Sequence, residues 1–184
     1  IYGLDPRARG EIRRPSSMGL VPEDRKRHGL ILGMSAQGNV ALPILGRLAG
    51  KLGGIDSRIE WAAVKPFFER MHVRAAHPGV EAGTLSGGNQ QKLVIARWLA
   101  AQVPLLLIDE PTRGVDVGAK AEIHGLLREV AAQGTGLLVA SSELPELRAL
   151  ASRILVLHEG RVVAEVPPDA TNETMMRAMA GLAA

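Results

Sequence analysis

At 184 residues with 46% hydrophobic and 22% charged side chains, the chain has the composition of a globular domain and excludes an intrinsically disordered one. The absence of cysteine excludes a disulfide framework, a thiolate nucleophile and a Cys-type zinc site, and no apolar run approaches the roughly 20 residues of a membrane helix. A net charge of +3 with only 3% aromatic residues gives little material for a base-stacking surface, so nucleic-acid binding is the weaker reading.

Residues 1–17 are basic and turn-rich, with turns expected at Asp5-Pro6 and near Pro15. Residues 18–21 form a short apolar run that reads as a strand stopped by Pro22. The charged run Glu23-Asp24-Arg25-Lys26-Arg27-His28 that follows reads as an exposed, solvated loop. Residues 39–48 and 61–71 carry apolar side chains at helical spacing, interrupted or kinked by Pro43 and Pro66 and separated by a Gly-rich linker. They predict a small helical lobe whose Phe and Trp side chains belong to a core. Residues 90–101 predict a helix. Residues 103–108 are continuously apolar, and Pro104 favours a strand over a helix there.

A further helix is expected over residues 119–132, starting at Asp116 or Val117, then a strand over 137–140 and a helix to about residue 150 that Ser142 can cap. Residues 153–157 and 162–166 flank His158-Glu159-Gly160-Arg161 as a β-hairpin, and a last helix covers 172–182, with Met175, Met176 and Met179 suited to core filling. Buried strands alternating with helices predict an α/β layer built on a parallel sheet.

Two stretches carry chemistry. In Leu85-Ser86-Gly87-Gly88-Asn89-Gln90-Gln91-Lys92, glycines without Cβ let backbone N–H groups approach a ligand, and the helix that follows points its positive end the same way. A Ser-capped helix after a Gly turn explains the same residues without any ligand. In Leu105-Leu106-Leu107-Ile108-Asp109-Glu110-Pro111, two carboxylates end a buried strand: one can hold the hydration shell of a magnesium ion and the other can deprotonate a water. A strand ending in polar residues is the plainer alternative. The five histidines have no metal-ligand spacing.

The order of these stretches, LSGGNQQ, a helix, LLLIDEPTRGVD, and a strand followed by Ser141-Ser142, resembles the ATP-binding cassette (ABC) ATPases. VPEDRKRHGL, GNQQK, DEPTRGVDVGAK and SSELPE make it most similar to the second cassette of the duplicated ATPase subunit of bacterial monosaccharide importers of the ribose, xylose and arabinose type. The resemblance runs from about residue 18 to the end. It implies a P-loop NTPase-like α/β fold with a helical signature lobe over about residues 39–90, an α/β core over about 91–166 and a C-terminal helix over 167–184.

The resemblance also implies roles. Ser86, Gly87, Gly88 and Asn89 would be the signature that meets the γ-phosphate of ATP on a facing cassette, in the same polypeptide or a dimer partner. Asp109 would support Mg²⁺ through water, Glu110 would be the general base, and Asp116, otherwise a helix N-cap, would lie in the loop crossing that interface. Membrane permease subunits would be partners, a periplasmic sugar-binding protein an indirect one, and the place of action the cytoplasmic face of the bacterial inner membrane.

The chain departs from the family pattern in three ways. No phosphate-binding loop G-x-x-x-x-G-K-[ST] occurs in it: Gly33 to Gly38 continues Asn39-Val40, and Gly46 to Lys51 is one residue short. With Ile1 in place of an initiator Met, this predicts a fragment lacking the N-terminal strand and loop, and one unable to hydrolyse ATP well by itself. Glu23 stands where cassettes place a magnesium-sensing Gln, and Ser142 where they place a γ-phosphate His; neither substitute has the hydrogen-bonding capacity of the group it replaces. A non-transport cassette acting on nucleic acid, and a non-hydrolysing cassette that donates only its signature, are the alternatives.

Overall fold

The computed structural model describes residues 10–50 and 53–182. The expected turn at Asp5-Pro6 lies outside the described residues, and residues 11–15 form neither helix nor strand. The chain divides into two compact units, residues 1–138 and 139–184.

In the first unit, strand β1 (Gly19–Val21) runs parallel to β2 (Leu105–Asp109), with Gly19, Leu20 and Val21 opposite Leu106, Leu107 and Ile108. The expected parallel sheet is therefore present, and β2 lies between β1 and β3 (Gly136–Ala140). Leu106, Leu107 and Ile108 are all buried, which is what a continuous apolar run produces in a strand covered on both faces. Because Val21 sits beside Ile108, Pro22-Glu23 and Asp109-Glu110 lie at the same, carboxyl, edge of the two strands. Open α/β sheets place ligands at that edge.

Helices occupy the stretches in which residues 39–48 and 61–71 predict them, and the two prolines are handled differently. Helix α1 (Ala36–Ala41) is capped by Ser35 and gives way at Pro43 to a 3₁₀ turn (Leu42–Ile44) and a single turn, α2 (Leu45–Leu48). Helix α3 (Ser57–Arg70) passes through Pro66 without ending, since the missing N–H would have met the carbonyl of Ala62 on the exposed side. Phe68 enters the core, whereas Trp61 stays partly exposed and meets the Phe68 ring edge-on at 5.2 Å.

Helix α4 (Gly87–Ala100) is the spine of the unit, packing against α1, α3, β1 and α5 (Val117–Ala132). Leu93, Val94, Ile95 and Ala96 are fully buried, as are Ile123 and Leu127 of α5. Two partly buried side chains of the same helix are paired: Arg97 donates to the carbonyls of Asn39 and Gly29 and to the Asn39 side chain, and Trp98 donates its ring N–H to the Leu20 carbonyl at 2.8 Å. Burial without a counter-charge lowers the Arg97 pKa from its ordinary value.

In the second unit, helix α6 (Leu144–Leu150) precedes the hairpin β4 (Ile154–His158) and β5 (Arg161–Val166), which packs on α7 (Asn172–Met179). The hairpin turns through Glu159 and Gly160, both at positive φ (46° and 76°), the geometry that two-residue hairpins favour. Ile154, Val156, Val166, Met175 and Ala178 form the core of this unit.

Two expectations need correction here. Ser142 does not cap α6: Glu143 takes that position, the Glu143 N–H donates to the Ser141 hydroxyl at 3.0 Å, and Pro145 in the first turn presets the helical φ. Of the three α7 methionines, Met175 fills core, while Met176 and Met179 are 70% and 57% exposed, because the amphipathic period of α7 turns them outward.

Candidate functional site

The charged run after β1 is exposed, as its composition predicts, except at Arg25, and it is wound into a turn of helix. Residues Arg25–Gly29 form a π-helical turn capped by Asp24, whose carboxylate accepts the N–H groups of Lys26 and Arg27 at 3.1 Å. Lys26, Arg27 and His28 are exposed, but Arg25 is buried. Its guanidinium donates to the carbonyl of Arg113 at 2.7 Å and to that of Gly114 at 3.1 Å. Desolvation lowers the Arg25 pKa, partly opposed by the nearby Asp24 charge. The same side of the site is closed by an ion pair between the Glu23 carboxylate and Arg113.

Strand β2 ends on Asp109, which is exposed, and Glu110 follows in the left-handed region at φ 48°. A side chain other than Gly pays about 1–2 kcal/mol for that conformation, and such residues cluster where function requires the geometry. The chain then turns, the Arg113 N–H donating to the Glu110 carbonyl at 3.2 Å, and Gly114 at φ 65° leads it to Asp116. Asp116 is the N-cap of α5, its carboxylate accepting the Ala119 N–H at 2.9 Å.

Ser86 caps α4, so Gly87, Gly88 and Asn89 are the first helical turn. The two glycines are required by close packing. A Cβ on Gly87 would lie 2.6 Å from the Arg25 guanidinium and 2.8 Å from the Gly114 carbonyl, and one on Gly88 would lie 2.9 Å from the Ala119 Cβ. Arg25 thereby joins three stretches that the sequence presents separately: the Glu23 segment, the Glu110 to Asp116 turn and the start of the Ser86 helix. Ser142, exposed, belongs to the second unit.

One more buried charge lies behind the Ser86 helix. Lys92 is 3% exposed and pairs with Glu122 of α5 at 2.8 Å, also donating to the His72 carbonyl at 3.2 Å. The His72 ring lies 3.4 Å from the same carboxylate. The hydrogen bond from Lys92 is the chief cause holding the Glu122 pKa below the ordinary carboxylate value. A carboxylate with a depressed folded-state pKa contributes stability above its unfolded pKa and loses it as pH falls through the folded value. Glu122→Gln is therefore expected to flatten the acid limb of a urea-midpoint profile below about pH 4.3. At neutral pH it should cost about 1 kcal/mol, because Glu122 is 32% exposed and partly screened.

Arg25 and Glu122 are not evident as special residues in the sequence. Nothing in the run of Glu23 to His28 separates Arg25 from its charged neighbours. Lys92 did carry a signal: it falls four residues after Gly88 and four before Ala96 on the buried face of α4, where a cation requires a partner.

The ABC transporter family model matches residues 1–113. The ribose import ATP-binding protein RbsA 2 of Streptomyces avermitilis is 43% identical over 199 residues, covering 100% of this chain. The xylose import ATP-binding protein XylG of Burkholderia ambifaria is 49% identical over 156 residues, covering 82% of this chain. The chain spans 39% and 30% of the lengths of these relatives. Among solved structures, a dimeric ATP-binding cassette in a post-hydrolysis state bound to ADP and Pi is similar with a TM-score of 0.69 at 25% identity, over 84% of this chain and 64% of that one. An inward-facing metal-chelate type ABC transporter shares the fold, with a TM-score of 0.77 at 21% identity over 96% of this chain and 68% of that one.

Proposed function

The chain belongs to the ABC transporter family, and we propose that it is part of the ATPase subunit of a monosaccharide importer, coupling MgATP hydrolysis to sugar uptake. The observation that carries this reading is the joint placement, in one compact unit, of the Ser86 helix and of a strand ending on Asp109, with Glu110 next to it at φ 48°. The importer relatives supply the substrate class, a pentose or similar monosaccharide.

In this reading Glu110 removes a proton from the water that attacks the γ-phosphate in line. Asp109, at the strand end, has the chemistry to hold a water of the Mg²⁺ shell; the hard oxygen donors and exposed position fit that ion. Magnesium supplies charge neutralisation on the phosphates when bound. Ser86, Gly87 and Gly88 present a hydroxyl and backbone N–H groups at a helix N-terminus toward a γ-phosphate held by a facing cassette. Asp116 caps α5 and lies in the loop that crosses the interface with the facing cassette. The complex acts at the cytoplasmic side of a membrane through permease subunits, the described residues including no helix long and apolar enough to cross it.

Phosphoryl transfer depends on positioning and charge stabilisation, and this chain has the carboxylates without a phosphate-binding loop. Purified by itself, it is expected to show no MgATP turnover above background in a phosphate-release assay. Robust Mg-dependent turnover that disappears in Glu110→Gln would overturn that expectation. A second reading, a cassette that donates its signature without hydrolysing, is favoured by one observation: Glu23, in the position of the magnesium-sensing Gln, is ion-paired with Arg113.

A further inference from the structure

The first turn of α4 contains a chain of hydrogen bonds with a fixed direction. The backbone N–H of Arg74 donates to the Asn89 side-chain oxygen at 2.8 Å. A backbone N–H has no acceptor alternative, so this bond decides which end of the Asn89 amide faces which neighbour. The Oδ1 faces Arg74, and Nδ2 faces the Ser86 hydroxyl, donating to its oxygen at 3.0 Å. The Asn89 backbone N–H donates to the same oxygen at 3.4 Å. A hydroxyl has two lone pairs and one proton. Both lone pairs of Ser86 are directed at Asn89, so its proton is left to point away from the helix, and Ser86 is exposed.

The position of Arg74 is itself secured. Two residues before it, the His72 carbonyl accepts from the buried Lys92, and Lys92 is paired with Glu122. This differs from a capping box, in which the side chain at the third helical position reaches back to the N-cap backbone N–H. Here it reaches the N-cap hydroxyl and fixes the sense of the next hydrogen bond.

We propose that Asn89 is a positioning residue that presets Ser86 as a hydrogen-bond donor toward an acceptor-only phosphate oxygen, acting through Ser86 and not by touching nucleotide. The proposal rests on the reading of Ser86 given above and assigns Asn89 a role apart from the phosphate contacts that the signature resemblance implies for it. An ionised phosphate oxygen offers only lone pairs. A hydroxyl already turned toward it needs no reorientation when the two cassettes close, which is the condition under which a donor is most effective.

A double-mutant cycle in the assembled importer ATPase, with MgATP as the probe and kcat, KM and Tm as readouts, tests this. Ser86→Ala is expected to lower kcat about 10²-fold. Asn89→Ala should lower kcat about tenfold by freeing the hydroxyl, and should have no effect in the Ser86→Ala background. Asn89→Asp can accept from both Arg74 and the Ser86 hydroxyl, which reverses the hydroxyl. A carboxylate in the first turn suits the helix dipole, so Tm should hold or rise while kcat falls to the Ser86→Ala level.

Multiplicative losses in Ser86→Ala/Asn89→Ala, or a further rise of KM for Asn89→Asp in the Ser86→Ala background, would show that Asn89 meets nucleotide directly and would overturn the proposal alone. Full activity in Asn89→Asp would do the same. Unchanged turnover in Ser86→Ala would overturn the signature reading and the proposal with it.

Discussion

Glu110→Gln in the complete subunit, with a phosphate-binding loop supplied to this cassette, is expected to slow ATP turnover about 10²–10⁴-fold, the range for loss of a general base. Gln keeps the shape of the side chain and removes its ability to take a proton. The backbone at φ 48° tolerates Gln no worse than Glu, so the variant should fold with an unchanged thermal midpoint. MgATP affinity should also hold, since the carboxylate acts on the attacking water and not on the phosphates. The loss therefore falls on kcat with KM little changed, which steady-state phosphate release resolves. Unchanged turnover combined with loss of hydrolysis on Ser86→Ala would favour the donor-only reading, in which Glu110 serves no reaction of its own.

The sequence made the sheet and the two chemical stretches legible for separate reasons. Residues 105–108 are apolar without interruption and preceded by Pro104, so the strand and its carboxylate end were readable from one window, and the structure ends β2 on Asp109. Ser86 before a run of good helix formers marked the start of α4 equally well. Contacts between distant segments were not readable. The residues joining the Glu23 segment to the Glu110 turn lie 88 and 89 positions apart, and they are joined by a side chain donating to carbonyls, a bond with no sequence signature on the acceptor side. The positive φ of Glu110 was equally silent, because left-handed residues are foreshadowed by Gly or Asn and this one is neither. Lys92 is the intermediate case: its helical phase places it inward, but which carboxylate would answer it depends on how α5 packs on α4.

Arg25→Met is expected to destabilise the first unit by about 3–6 kcal/mol, two hydrogen bonds from a charged donor at about 1.5–3 kcal/mol each. Met matches much of the side-chain volume, so the loss reflects the carbonyls of Arg113 and Gly114 left without their donor and not a cavity. The effect should not be uniform. Hydrogen exchange is expected to accelerate first in residues 113–116 and at the start of α4, where the guanidinium lies against Gly87, and later in β2, whose ladder with β1 is independent of Arg25. Arg25→Lys should recover only part of the loss, since a single ammonium cannot span two carbonyls with the spacing of a guanidinium fork. In the complete subunit the same variant should lower kcat beyond its effect on Tm, because Glu110 and the Ser86 helix are both registered against the segment that Arg25 holds. A denaturant midpoint equal to that of the unaltered chain would mean that the Glu23–Arg113 ion pair suffices to join these stretches. Solvent-exposed ion pairs contribute about 0–1 kcal/mol, too little to replace the buried guanidinium.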